Sequence, residues 1–156
     1  NGGDMSYMLA CQASDVFKAV APVAGMILQS IYDTCTPENP MPVFEIHGTE
    51  DYVTYWEGDM NNEDGWGAYP AVRTMIDFWV GLNGLELSET TDLENSNTSD
   101  GSSIEFERHW SESTVNEVWL YKVVGGGHDW PGSDGNMDIN VSTEMWMFFS
   151  KFLENE

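Results

Sequence analysis

Positive charge is scarce in this sequence: 5 Lys and Arg stand against 27 Asp and Glu, a formal charge of −22 over 156 residues. A surface so negative excludes nucleic acid and anionic membranes as partners, and at long range it favours neutral small molecules over anions. The plainer reading of the same charge is solubility, in salty water for example. No apolar run approaches the ~20 residues that a membrane-spanning helix needs. There are only two cysteines, Cys11 and Cys35, and no Cys–His cluster has zinc spacing, so no metal site is expected. The acidic run from Asp59 to Asp64 lacks the Gly and Glu positions of an EF-hand loop and reads as solvated. By count alone the cysteines are either one disulfide of an oxidising compartment or two buried thiols.

What the sequence has is enough apolar and aromatic material for one packed domain, including 7 Trp, 7 Phe and 6 Tyr. Asn1-Gly2-Gly3-Asp4 reads as a turn entering a helix, with Met5, Met8 and Leu9 at i, i+3 and i+4. Val20–Ala24 and Val43–Ile46 are short apolar runs ended by Gly25 and by His47-Gly48, the pattern of buried strands. The acidic stretch from Glu57 to Gly67 reads as a loop. Val72, Met75, Ile76, Trp79 and Val80 predict an amphipathic helix closed near Gly84. Ser88 to Ser103 is polar and nearly free of apolar residues, and predicts a mobile surface loop. Ile104, Phe106, Arg108 and Trp110 alternate with Glu105, Glu107 and His109 in a half-buried strand whose polar side, His109 included, faces solvent; Val115–Val124 runs back beside it. Ser142 is the expected N-cap of a last helix carrying Met145, Phe148, Phe149, Phe152 and Leu153. Strands alternating with helices predict an α/β fold, a mostly parallel sheet flanked by helices.

Two sites share one pattern, in which a buried strand ends, glycine bends the chain and a titratable residue follows. They are His47-Gly48-Thr49-Glu50-Asp51 and Gly125-Gly126-Gly127-His128-Asp129-Trp130-Pro131. The carboxyl ends of α/β strands are where ligands bind. Acyl transfer needs a base to deprotonate a weak nucleophile and a carboxylate to orient that base, and Asp51 followed by His128 has the chain order of acid and base in α/β-hydrolases. The bland alternatives are a loop acid that caps a turn and a surface histidine. His47 is expected to be structural, holding the strand end. The pentapeptide Gly-x-Ser-x-Gly of a nucleophile elbow occurs nowhere in the sequence, and neither Ser6 nor Ser133 has elbow context.

The segments Asn1–Cys11, Ala21–Gly25, His47–Asp51 and Gly125–Gly132 together, in this order, resemble the polyhydroxybutyrate depolymerase and feruloyl esterase family of α/β-hydrolases. The resemblance implies that a nucleophilic serine directly precedes Asn1 in the whole protein. Residues 1–156 would then be the C-terminal half of the catalytic domain, lacking the N-terminal half and the nucleophile. It implies catalytic roles for Asp51 and His128, an oxyanion-hole role for the backbone N–H of Asn1, and substrate contact for Trp130. It also implies a Cys11–Cys35 disulfide, a secreted protein, no cofactor, and a neutral substrate: a polyester such as poly(3-hydroxybutyrate), or a feruloyl or acetyl ester of polysaccharide. Alone, this half is expected to be inactive and unstable, because half a parallel sheet leaves an open edge. The contrasting expectation is a non-catalytic polymer- or carbohydrate-binding module whose aromatics do the work.

Overall fold

The computed structural model describes residues 1–153. Its elements run α1 (Gly2–Gln12), α2 (Gln29–Tyr32), β1 (Val43–Gly48), α3 (Val72–Asn83), β2 (Leu87–Asp92), β3 (Ser103–Trp110), β4 (Val118–Val124) and α4 (Val141–Ser150). The four strands form one sheet in the order β1-β4-β3-β2. β1 and β4 are parallel, with Val43 opposite Val118 and Gly48 opposite Val123. The pairs β3–β4 and β2–β3 are antiparallel. The sheet among the described residues is therefore mixed, and the expectation of a mostly parallel sheet is corrected. The reason is connection length: a turn over residues 111–117 joins β3 to β4, and a link this short returns the chain antiparallel. Val20 and Val23 touch β1 through parallel bridges to Val43 and Ile46, so the Val20–Ala24 run lies along β1 without becoming a regular strand.

Burial follows the two-residue period of strands. Val43 on β1 and Val118 and Leu120 on β4 pack with Tyr7 of α1 and Met75, Ile76 and Trp79 of α3. Phe44, Ile46, Tyr121 and Val123 face the other way and pack with Val141 and Phe148 of α4. β1 is thus buried on both sides, as its apolar run predicts. The helix read from Val72 to Val80 is α3, and Gly84 closes it at φ 64°, a left-handed conformation that glycine adopts without strain. The disulfide joins Cys11 at the end of α1 to Cys35, with Cα atoms 5.1 Å apart.

Four local expectations are corrected. α1 starts at Gly2, inside the residues read as a turn. Part of the Ser88–Ser103 segment is strand β2, exposed along its whole length and held through backbone pairing to β3. The cap of α4 is Asn140, whose side chain accepts the N–H of Thr143, and the regular helix ends at Ser150, before Phe152 and Leu153. His109 is not solvated: its ring contacts Glu107, which also receives two hydrogen bonds from Arg73 of α3 at 2.8 Å.

Candidate active site

The site forms where the ends of β1 and β4 meet, and glycine makes that meeting close. A Cβ on Gly48 would overlap the carbonyl oxygens of Gly126 and Gly127, so only a bare backbone fits there. Gly125 turns the chain at φ 77°. Three bonds then hold the two loops together: Thr49 N–H to Val123 O (2.9 Å), Glu50 N–H to Gly126 O (2.9 Å) and Gly125 N–H to Thr49 Oγ1 (2.9 Å). The triple glycine that ends β4 makes this contact. The contact carries Asp51 on one loop and His128 on the other.

Asp51 is buried. Its Oδ1 accepts the N–H groups of Val53 and Thr54, each at 2.8 Å. Its Oδ2 lies 2.8 Å from His128 Nδ1 and 3.1 Å from the Thr54 hydroxyl. With the carboxyl accepting from its surroundings, the proton on the Asp51–His128 line belongs to Nδ1. In the neutral ring, Nε2 is then left with a lone pair, the tautomer a general base needs.

His128 lines a cleft of about 430 Å³ together with Asn1, Gly2, Thr54, Trp66 and Trp130. Four of the residues singled out in the sequence therefore converge: Asp51 and His128 are hydrogen-bonded, and Asn1 and Trp130 line the cleft that His128 faces. Trp130 is partly exposed and donates its indole N–H to Ser142 Oγ at 3.2 Å. The amino end of α1 borders the cleft, and it sits there because Gly3 and Gly25 are both bare: a Cβ on Gly3 would fall 2.5 Å from Gly25 Cα. A helix amino terminus carries partial positive charge and suits a developing anion. Among the described residues, no group of three or more His, Cys, Asp or Glu side chains could hold a metal ion.

Sequence reasoning missed Trp66, Thr54 and, in the polar floor beneath Asp51, Tyr7 and Glu45; His47 was read there only as a structural residue at the strand end. Trp66 has no periodic partner in its acidic loop, and a lone tryptophan amid Asn, Asp and Gly is the only signal it gives. The floor consists of Tyr7, Glu45 and His47, all buried. The Tyr7 hydroxyl donates to Glu45 Oε2 at 2.8 Å, His47 Nδ1 lies 2.7 Å from Glu45 Oε1, and His47 Nε2 donates to the Thr54 carbonyl at 2.7 Å. Burial raises the Glu45 carboxyl above its ordinary value. Burial alone would lower His47, but its hydrogen bond to Glu45 and the Glu45 charge outweigh it and hold the imidazole above its ordinary value. The pair thus retains a proton tightly. Charged residues inside an apolar strand, Val-Phe-Glu-Ile-His, were the available sign.

No protein-family profile matches the chain. Individual proteins do. Over 155 residues, 97% of its length, it is 28% identical to feruloyl esterase B of Piromyces equi. Over 153 residues it is 30% identical to feruloyl esterase D of Neurospora crassa. The chain is similar in sequence to feruloyl esterases. It spans 26% of the length of the first relative and 45% of the second. Polyhydroxybutyrate depolymerases are not among these relatives, so the comparisons support the feruloyl esterase side of the resemblance. No helix among the described residues is long and apolar enough to cross a membrane.

Proposed function

We propose that these residues supply the acid and the base of a carboxylic ester hydrolase with an α/β-hydrolase catalytic domain, in which a serine directly before Asn1 is the nucleophile. One observation carries the reading: a buried carboxylate, Asp51, holds Nδ1 of a part-exposed imidazole, His128, at 2.8 Å, in a cleft shared with the amino end of α1. Burying a carboxylate against a histidine is costly for packing alone and is the arrangement that readies Nε2 to take a proton. A module that merely binds polymer has no use for it.

The serine hydroxyl proton passes to His128 Nε2 as the serine oxygen attacks the ester carbonyl. The tetrahedral intermediate places its oxyanion at the start of α1, where the Asn1 N–H donates. Collapse expels the alcohol, which takes the proton back from His128. Water then repeats the cycle on the acyl-enzyme and releases the acid. Asp51, through its bond to Nδ1, steadies the imidazolium. No cofactor takes part.

The substrate is a neutral ester. The net charge of −22 disfavours anions, and Trp66 and Trp130 offer apolar walls beside His128. The two relatives favour a feruloyl-type ester of polysaccharide, with a hydroxyalkanoate polyester as the second substrate class. The disulfide supports a secreted protein. The test is hydrolysis of nitrophenyl acetate and a feruloyl ester by the full-length protein and its His128→Ala variant. Turnover that vanishes in the variant is expected; equal rates in the two overturn the proposal.

A further inference from the structure

We propose that Glu45 and His47 are positioning residues that set the charge and geometry of Asp51, so that the acid–base pair continues inward as the chain Tyr7–Glu45–His47–Asp51–His128. The inference rests on the esterase reading of Asp51 and His128.

Strand periodicity places Glu45 and His47 on the same face of β1 as Val43, where every other β1 side chain would ordinarily be apolar. Core stability offers no reason for them, since an ion pair buried there is no better than well-packed hydrocarbon. Instead, each member is saturated. Glu45 receives the Tyr7 hydroxyl at 2.8 Å, the Gly25 N–H at 3.3 Å and the proton on the His47 Nδ1 line at 2.7 Å. His47 Nε2 faces a carbonyl, that of Thr54, so it must carry a proton. A second proton therefore lies between Nδ1 and Glu45 Oε1. When it rests on the ring, His47 is an imidazolium whose Nε2 is 3.6 Å from Asp51 Oδ2.

Two physical links run from this pair to the site. The first is mechanical. His47 holds the carbonyl of Thr54, while the N–H of the same Thr54 holds Asp51 Oδ1 at 2.8 Å and its hydroxyl, shared between the Ala24 carbonyl at 2.9 Å and Asp51 Oδ2 at 3.1 Å, stands against the other oxygen. The second is electrostatic, a positive charge beneath Asp51 opposing part of its pull on His128. The groups that set this charge are Tyr7 from α1, Glu45 on the same strand, Asp51 and Thr54 from the loop after β1, and His128 from the loop after β4. The Trp56 ring covers His47 edge-on at 6.1 Å, and Lys122 of β4 stands 6.0 Å over that same ring.

Glu45→Gln separates these roles from packing. Gln matches Glu in shape and, giving up the long Gly25 N–H bond, can donate to His47 Nδ1, which leaves a neutral ring still bonded to Thr54. In the full-length protein, kcat on a nitrophenyl ester should fall on the order of tenfold with KM unchanged, less than the roughly hundredfold cost of a 1 Å misplacement. The acid limb of the kcat profile should move to higher pH, because Asp51 then holds the protonated His128 without opposition. Tyr7→Phe, which removes one oxygen, should move both readouts the same way by less, and it carries the test if Glu45→Gln fails to fold. The Nδ1 proton resonance of His128 should shift in both variants. Wild-type kcat with an unmoved profile and resonance would overturn the positioning role, as would equal losses in kcat and folded fraction with an unmoved profile. A wild-type protein without turnover would overturn the esterase reading instead, and the His128 resonance would still decide whether Glu45 acts on the pair.

Discussion

Replacing Asp51 with Asn tests the chemistry at its narrowest point, because the structure dictates how the amide must sit. Asp51 Oδ1 accepts two backbone N–H groups at 2.8 Å, from Val53 and Thr54. Turning the amide so that its NH2 faced them would strand two buried donors, at about 1–3 kcal/mol each. The Asn carbonyl therefore takes the Oδ1 place, and the NH2 takes that of Oδ2, 2.8 Å from His128 Nδ1. An N–H donor at that position requires a lone pair on Nδ1, which forces the neutral ring to carry its proton on Nε2. The base then points a proton at the cleft and cannot accept one. Loss of the correct tautomer in a serine hydrolase costs about 10⁴ in kcat, or about 5.4 kcal/mol of barrier. The measurement is initial-rate hydrolysis of a nitrophenyl ester by the full-length protein, with thermal melting to show that the variant is folded. A folded Asp51→Asn protein within tenfold of wild-type kcat would refute the assignment of Asp51.

Other perturbations reach the same framework from different sides. Gly48→Ala should drive a methyl group into the Gly126 and Gly127 carbonyls and destabilise the fold by about 1–3 kcal/mol, lowering turnover as the Asp51 and His128 loops part; a lowered melting midpoint and kcat check this. Reducing Cys11–Cys35, which closes a loop of sequence separation 24, should cost about 3.5 kcal/mol by loop entropy, read as a fall in denaturant midpoint with reductant. Glu107 is held down to about 2, first by its hydrogen bond from His109 and then by Arg73. Its folded value lies below its unfolded one, so its stabilisation is complete above about pH 4.5 and is lost as pH falls toward 2. The melting temperature should decline across that window, and Glu107→Gln should flatten the decline.

The parts of the fold that were legible in the sequence are those in which side-chain pattern and burial agree. Val72 to Val80 show a 3.6-residue period because one face of α3 lies on the sheet, and Val43–Ile46 form an apolar run because β1 is covered on both sides. Asp51 and His128 could be paired because each follows a glycine-ended strand and they stand in the order of acid and base; the bare backbones of Gly48, Gly126 and Gly127 are what let their loops meet. β2 escaped because both its faces are wet: its Ser, Glu, Thr and Asp side chains face solvent, and its strand state comes from β3's backbone. Asn140 and Ser142 are equally good caps by residue type, and only the fold decides between them. His109 looked solvated because alternation says which face a residue takes, while Arg73, distant in sequence, covers that face. Glu45 was hardest, and His47 could be read only as a strand-end residue, since their partners Tyr7 and Thr54 come from segments that only the folded chain brings near.

Among the described residues strand β2 is also the outer margin of the sheet, and all six of its residues, Leu87–Asp92, are exposed. Asp92, and Glu89 paired with Arg108 at 3.4 Å, put acidic charge along that margin, which disfavours pairing with a second copy. β4 and β3 separate it from β1, whose carboxyl end leads into the loop that carries Asp51. It is therefore the place to attach a surface anchor or a fluorescent label at a distance from the Asp51–His128 pair.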